Sequence, residues 1–494
     1  MIKIEESKKD ILIAWTLFLV AFVVRFLLIS KGPFYSDTVI MVNSAQDTLK
    51  DLSLHYMHTF GYPFTVVVAA VFIFLMRLVN INDPVFAVNF MSVFFGSFSI
   101  WIFYLFSRKF IDRIGSLFAT FLLMFLPLHI AVSTFGMTHS VSIFFGLAGL
   151  YYLILYLEDY RINKIIISSI LLGLSVAARP PDAPIILAAI FLYLIQSFKD
   201  SKTSKQVIFY RLLIFLVFFT GCILLFYLNM IFKVSLVEFK SSMAMYYLIN
   251  DSIFLVHALI LIVRILSIPG MIIALFSLLY CICKKDFHRR KIYFLLVWFV
   301  VLFISYGLRN IILYRYFLFA LIPIFIMEGH LLSKLMVVKR LRVVLTVAVC
   351  AMVLSNFIKF YPTLELRHNY DLQGDFCKFI NQVTKPDSLV IAMDNGTFIE
   401  YYSQRKVLYK PIGNNKADFD NFFKELDVLL KKNTPVYIIA VDLRSYDPKG
   451  YFRNILFHDY NLKLIGTRVN EEWHNTCIRQ LLYIDGLYKI EKKA

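Results

Sequence analysis

The chain spells out no metal or nucleotide site. Of its six cysteines, only Cys281 and Cys283 stand close together, as a Cys-x-Cys with no second pair at zinc spacing. No His-x-x-x-His occurs, and no acidic pair marks a metal. The C-terminal part has no glycine-rich phosphate loop and no nucleophile–histidine–acid set at a recognisable spacing. Internal repeats and low-complexity tracts are missing too, and with them the symmetric halves expected of a transporter. Acidic residues are few: 33 Asp and Glu face 51 Lys and Arg, for a formal net charge of +18. A basic balance can mark nucleic-acid binding. Here the cations lie largely in short segments between apolar runs, where they orient a membrane protein, so we read no nucleic acid as a partner.

What the chain has in abundance is apolar length. It is 59% hydrophobic with 50 Phe and 29 Tyr, and its mean hydropathy is +0.70. Runs repeatedly reach the roughly 20 residues that cross a bilayer, so the class is polytopic α-helical membrane protein. Lys3, Lys8 and Lys9 precede a run at 11–30 that is too long for a signal-peptide core and lacks a small-x-small cleavage site, so it reads as an uncleaved first span. Further runs lie near 61–80, 85–106, 114–133, 140–157, 164–178, 183–198, 208–230, 265–283, 291–308, 315–333 and 341–359. Basic clusters fall between several of them, among them Arg108, Lys109 and Arg113; Arg161 and Lys164; Lys284, Lys285, Arg289, Arg290 and Lys291; and Lys339, Arg340 and Arg342.

Parity then decides a point of topology. If every run crosses, these clusters lie opposite the basic N-terminus; if one run between 31 and 106 does not, clusters and N-terminus share the cytoplasmic face. The run to drop is 61–80, which opens with Gly61-Tyr62-Pro63, contains Arg77 and closes in Asn80, Asn82 and Asp83. It reads as a helix at the outer face, leaving about eleven true spans. Within segment 231–264, the apolar stretch Ile253–Val263 is too short to span and reads as interfacial.

On this topology the unusual polar residues gather outside. Asp37 is the first acidic residue after the first span. Ser36 reads as an N-cap, and Val42, Ala45, Leu49 and Leu52 form one helical face, with Asn43, Asp47 and Lys50 opposite. Asp37 then occupies a first helical turn, where the dipole favours an ionised carboxylate, as a general base requires; a plain capping role fits the same position. His58 and Tyr62 follow in the same loop, and Thr138-His139 lies in another. The two histidines are capable of metal binding or of a hydrogen bond to substrate. Arg179-Pro180-Pro181-Asp182 reads either as a turn with a local ion pair or as an arginine for a phosphate. Tyr314-Arg315-Tyr316, with Arg309 shortly before it, reads either as an interfacial anchor or as a phosphate ligand, since the guanidinium fork suits phosphate oxygens.

From about residue 360 the composition changes, giving a division into a transmembrane domain at 1–359 and a C-terminal domain at 360–494. Asp375–Val383 and Asp418–Lys431 read as helices, and Ser388–Met393, Pro435–Val441, Asn461–Arg468 and Cys477–Tyr483 as strands. Such alternation makes a small α/β domain with at least partly parallel strands. If this part is extracytoplasmic, Cys377 and Cys477 are either a disulfide or two free thiols.

These residues, taken in order, resemble a known family. An uncleaved first span is followed by Ser36-Asp37, then His-x-x-x-Tyr-Pro at 58–63, Leu-Pro-Leu-His at 126–129, Thr138-His139, Arg-Tyr-Phe at 315–317 and a polar C-terminal part. The pattern is similar to the lipid-dependent glycosyltransferases of the GT-C superfamily, especially the dolichyl-phosphate-mannose protein O-mannosyltransferases and the lipid A aminoarabinose transferase. The resemblance covers most of the chain through short motifs. It implies transfer of a sugar from a polyprenyl-phosphate donor to a hydroxyl of a protein, lipid or glycan acceptor, at the outer face of the cell membrane, with inversion. Asp37 matches the family's first-loop Asp near the reacting centre, His58 falls where members have a His or acidic residue before the Pro, and Arg315 falls where a cation faces the lipid phosphate. Tyr62, His139, Arg179, Asp182, Arg309 and Tyr314 complete the expected substrate-binding set. The chain departs from many relatives in carrying Thr38 and His139 where they have acidic residues, so a divalent metal is left open rather than expected. Alternatives are a flippase of a lipid-linked glycan, a polymerase or ligase using a lipid-pyrophosphate donor, and a catalytically silent scaffold.

Overall fold

Long Leu-, Phe- and Ile-rich runs can satisfy their backbone in hydrocarbon only as helices. The computed structural model describes the chain apart from residues 1, 58–60, 199–203, 234–252, 284–288, 308–313, 394–395, 412–415, 441–449, 474–479 and 494. The chain folds as two compact units. Most of the first is Met1–Ser30 and Met41–Leu366; most of the second is Lys31–Ile40 with Arg367–His474. The units change over between Leu366 and Arg367. That Lys31–Ile40 joins the second unit is not visible in the sequence.

The first unit is a helical bundle. Its elements begin α1 (Ile2–Phe26), α2 (Ser36–Asp51), α3 (Pro63–Leu78), α4 (Pro84–Ser107), α5 (Arg113–Met124), α6 (Pro127–Val132), α7 (Thr138–Asp159), α8 (Ile162–Ala178), α9 (Ile185–Ser197) and α10 (Lys205–Lys233). Helices Ile253–Cys283, Arg289–Gly307, Leu318–Met336 and Lys339–Asn369 follow. Among the described residues, eight helical segments are long and apolar enough to cross a membrane, and α3, α5 and α8 are shorter apolar helices. The outer surface of α10 shows Phe209, Leu213, Val217 and Leu225, and the Ile253–Cys283 helix shows Ile268, Ile272 and Phe276, an exterior suited to lipid tails. Leu318–Met336 is almost wholly buried and forms the spine of the bundle.

Two apolar runs break where their prolines dictate. The run read as 114–133 is two helices, because Pro127 has no N–H to give and holds Leu126 extended (φ −61°, ψ 121°). The helix Ile253–Cys283 is kinked at Ser267 (φ 64°, ψ 165°), two residues before Pro269. In α2, Val42 and Ala45 are buried as the periodicity requires, whereas Leu52 lies past the helix end and is exposed.

Ion pairs gather several basic segments at one end of the bundle. Asp10, near the start of α1, accepts from Arg108 Nε (3.1 Å), Arg113 Nε (2.9 Å) and the Tyr104 hydroxyl (3.1 Å). Burial works against ionisation of Asp10, but these bonds outweigh it and hold its carboxyl below the usual range. Lys109 pairs with Glu158 at the end of α7, and Lys291 Nζ donates to the Lys109 carbonyl at 2.6 Å. The start of α1 and the end of α4 therefore lie together, so the chain between them leaves and returns on one side. His139, Arg179 and Arg315 sit at the opposite ends of their helices from this basic layer.

The second unit is a five-stranded sheet of order β2-β1-β3-β5-β4, with β1 (Leu389–Ala392), β2 (Lys406–Tyr409), β3 (Val436–Ile439), β4 (Tyr460–Trp473) and β5 (Gln480–Lys492). β1 runs parallel to β2 and β3, while β5 is antiparallel to both β3 and β4. One face packs Phe376, Ile380, Val390 and Phe398, together with Val39; the other packs Phe419, Phe423, Leu426 and Phe452. Cys377 is a buried free thiol, and Cys477 lies outside the described residues.

Candidate active site

In the first unit, a polar cluster forms where helices break. Helix α8 ends at Arg179, whose backbone (φ −152°, ψ 89°) leads into the short 3-10 turn Pro180–Asp182. Arg179 and Asp182 are only 2% and 1% exposed, so their charges must be met by protein. Asp182 Oδ1 accepts from Arg179 Nη1 and from the Tyr306 hydroxyl, and its Oδ2 accepts from Ser142 Oγ at 2.6 Å. A second guanidinium, Arg315, is also buried, on the 3-10 turn Tyr314–Phe317 that opens the central helix.

Tyr316 is the hub. Its ring centroid lies 5.0 Å from the Arg179 guanidinium and 5.7 Å from that of Arg315. The His139 imidazole lies nearly parallel to the same ring, at 6.2 Å and 11°. Tyr306 adjoins it at 6.2 Å. Tyr62 is close enough to Arg179 to feel its charge. The chain reaches Tyr62 through two left-handed residues, Gly61 (φ 80°) and Tyr62 itself (φ 47°). At φ 80° any L side chain at Gly61 is strained, which favours glycine there. Thr65 Oγ1 donates to the Ala178 carbonyl at 2.9 Å and so ties the start of α3 to the residue before Arg179. Tyr314 is held by Arg264 Nη1 at 3.1 Å.

His139 stands out because it is 5% exposed and neither ring nitrogen has a hydrogen-bond partner among the described residues. An imidazole offers one donor and one acceptor, and leaving them unmet in a buried site costs about 1–3 kcal/mol each. The turn that carries His139 is, by contrast, tied down at several points. Gly136 N donates to Asn89 Oδ1 (2.7 Å), Asn89 Nδ2 donates to the Ser30 carbonyl (2.9 Å), Met137 N donates to Ser92 Oγ (3.0 Å), and Ser30 N donates to the Thr134 carbonyl (2.8 Å). Buried non-helical backbone needs such pairing.

Beneath that turn lies Arg25, fully buried with no carboxylate in its network among the described residues. It donates to Ser133 Oγ (2.9 Å) and to the carbonyls of Ala21 (3.1 Å) and Met124 (3.0 Å). It also meets His129 Nδ1 at 2.7 Å; arginine has no acceptor, so Nδ1 accepts and Nε2 donates to Ser99 Oγ at 3.0 Å.

The structure thus brings together Tyr62, His139, Arg179, Asp182 and Arg315, and places Tyr314 beside them in the turn. The local ion pair of the Arg179–Asp182 turn is present, and the Arg179 guanidinium also faces the Tyr316 ring. His58 and Arg309 lie outside the described residues. Asp37 belongs to the second unit, half-buried in the first turn of α2. Sequence reasoning missed Tyr306, Ser142, Asn89 and Arg25. Three of these stand inside apolar runs, where a polar residue is the only signal of a buried network; Tyr306 looked like any other aromatic. No group of three or more His, Cys, Asp or Glu able to hold a metal occurs among the described residues. Asp182 already accepts three hydrogen bonds, which makes it a poor metal ligand.

Residues 63–225, which include His139, Arg179 and Asp182, match the family model of dolichyl-phosphate-mannose-protein mannosyltransferases. No curated protein matches the sequence. Among solved structures, ArnT from Cupriavidus metallidurans bound to undecaprenyl phosphate is similar with a TM-score of 0.58, 12% identity and 97% coverage of each chain. The archaeal oligosaccharyltransferase AglB from Archaeoglobus fulgidus, in complex with an inhibitory peptide and a dolichol-phosphate, is similar with a TM-score of 0.56 and 14% identity over 92% of this chain and 73% of its own. At these identities the likeness is one of fold, which this chain shares with both proteins.

Proposed function

We propose that this multi-pass membrane protein is a glycosyltransferase that moves a sugar from a polyprenyl-phosphate donor to an acceptor hydroxyl of a protein, lipid or glycan. The observation that carries the reading is the cluster around Tyr316. Two buried guanidinium groups and an imidazole with no partner for either nitrogen among the described residues converge there, at the bundle end opposite the basic layer. Arg315 and Arg179 suit the oxygens of a lipid phosphate, with Asp182 fixing the rotamer of Arg179. His139 offers a hydrogen bond to the phosphate or the sugar, and Tyr62 lines the same place. The match over 63–225 and the likeness to ArnT support this reading.

In the proposed step, Asp37 takes the proton of the acceptor hydroxyl as its oxygen attacks the anomeric carbon. The bond from that carbon to the phosphate oxygen breaks, and the charge appearing on the leaving phosphate is offset by the arginines. A phosphate leaves readily, so the acid of a glycosidase pair is not required. Single displacement inverts the anomeric centre. The basic layer lies on the cytoplasmic side of the cell membrane, and the α/β unit is extracytoplasmic. Purified protein given labelled polyprenyl-phosphate sugars tests the reading: transfer lost in Asp37→Asn supports it. Absence of transfer by the unmodified protein with every donor tried points to a flippase or scaffold.

A further inference from the structure

The most strained aromatic segment of the second unit lies immediately before Asp37. Phe34 has φ 59°, the left-handed region that a bulky side chain rarely adopts, yet it is buried at 4% exposure. Such a conformation persists only where surrounding groups over-determine it, and it concentrates at functional sites. Here the determining group is Arg367, itself 2% exposed, whose guanidinium stands 3.6 Å over the centre of the Phe34 ring.

The flanks of the segment are fixed to the same unit. Lys31 N donates to the Arg367 carbonyl at 2.9 Å, and Lys31 Nζ reaches the Asn369 carbonyl at 3.3 Å. A Cβ on Gly32 would lie 2.2 Å from Asp371 Oδ1, so the chain passes there only as glycine. Asp371 is immobile in turn, because it accepts from Gly374 N at 3.0 Å and from the Tyr402 hydroxyl at 2.8 Å. Beyond Asp37, Val39 is fully buried in the core with Phe376, Ile380 and Val390. Asp37 therefore sits between two anchors, one at Gly32–Phe34 and one at Val39.

We infer that Arg367 is a positioning residue for Asp37, holding Phe34 left-handed and so setting where the first turn of α2 presents its carboxylate. This rests on the reading of Asp37 as the base.

The test uses full-length protein in detergent with a labelled polyprenyl-phosphate sugar. Misplacing a reacting group by about 1 Å costs on the order of 100-fold, so Arg367→Ala is expected to lower kcat by about 10- to 100-fold while the donor KM changes less than about threefold. Arg367→Lys, which keeps a cation over the ring, recovers most of the rate. Phe34→Gly relieves the backbone strain but deletes a ring only 4% exposed, so Tm is expected to fall by a few degrees while the protein stays folded and kcat falls about tenfold or more. An unchanged kcat in Arg367→Ala overturns the inference, and so does full activity in Phe34→Gly. If Arg367→Ala does not fold, Phe34→Gly decides. Asp37→Asn run alongside separates the two claims. Full activity there overturns the base itself, whereas an inactive Asp37→Asn beside a fully active Arg367→Ala overturns only the positioning role.

Discussion

The two units hold the residues of the proposed reaction by different means. The cluster around Tyr316 is built from side chains at helix breaks, each fixed by another side chain: Arg179 by Asp182, Asp182 by Tyr306 and Ser142, and the rings by stacking. Asp37 is fixed through its backbone, by a strained aromatic before it and a core valine after it. A cation site for phosphate tolerates the first arrangement, because its groups need only converge. A base must meet one proton at one distance, and the second arrangement suits that demand. The comparison predicts that damage to the first region appears in folding and donor affinity, and damage to the second in turnover.

The sharpest break is Asp182→Ala, which strands the Arg179 guanidinium in a site 2% exposed. Removing one partner of such a pair costs about 3–5 kcal/mol, so loss of monodisperse protein in size-exclusion chromatography is expected. Replacing both partners, as Arg179→Met with Asp182→Leu, is expected to restore folding but not transfer. Next comes His139→Phe. Removing two unpartnered buried nitrogens while keeping the stack on Tyr316 is expected to stabilise by about 1 kcal/mol, read as a rise in Tm, and to weaken donor affinity about tenfold. A fall in Tm with unchanged affinity would make His139 an ordinary packing residue.

The smallest effect is a pH dependence confined to the second unit. Burial works against ionisation of Asp427, but hydrogen bonds from Lys492 and from the Tyr460 hydroxyl (2.8 Å) outweigh it and hold its carboxyl below the usual value of 3.8. A depressed folded pKa gives stability that is fully present above the ordinary value and lost as pH falls through the lower one. Asp427→Asn is therefore expected to flatten the acid limb of a Tm-against-pH curve slightly, and an unaltered curve would show that the pair contributes nothing.

Much of this architecture was legible because periodicity and charge report burial and sidedness directly. The strands at 388–393 and 435–441 and the helix at 418–431 lie within a few residues of β1, β3 and the helix Lys416–Lys431. β2 escaped notice because it is four residues long, with both its ends exposed. Arg179, Asp182, His139 and Arg315 were legible as polar interruptions at the ends of apolar runs. Arg25 and Asn89 were not, since each lies within a run where composition outvotes a single residue and only packing reveals the partner. The anchoring of Asp37 was invisible for a further reason: Phe34 and Arg367 are far apart in sequence, and neither left-handed backbone nor a ring–guanidinium contact leaves a local pattern.

The division of labour between phosphate site and base is tested most directly by titrating labelled polyprenyl phosphate against Arg315→Ala and Asp37→Asn, with turnover measured on the same preparations. Loss of one charge-assisted contact is expected to weaken lipid binding by Arg315→Ala about tenfold or more. Asp37→Asn is expected to bind the lipid like the unmodified protein and to turn over at least about 100-fold more slowly. Unchanged binding by Arg315→Ala, or Asp37→Asn that loses binding yet keeps its turnover, would contradict the account.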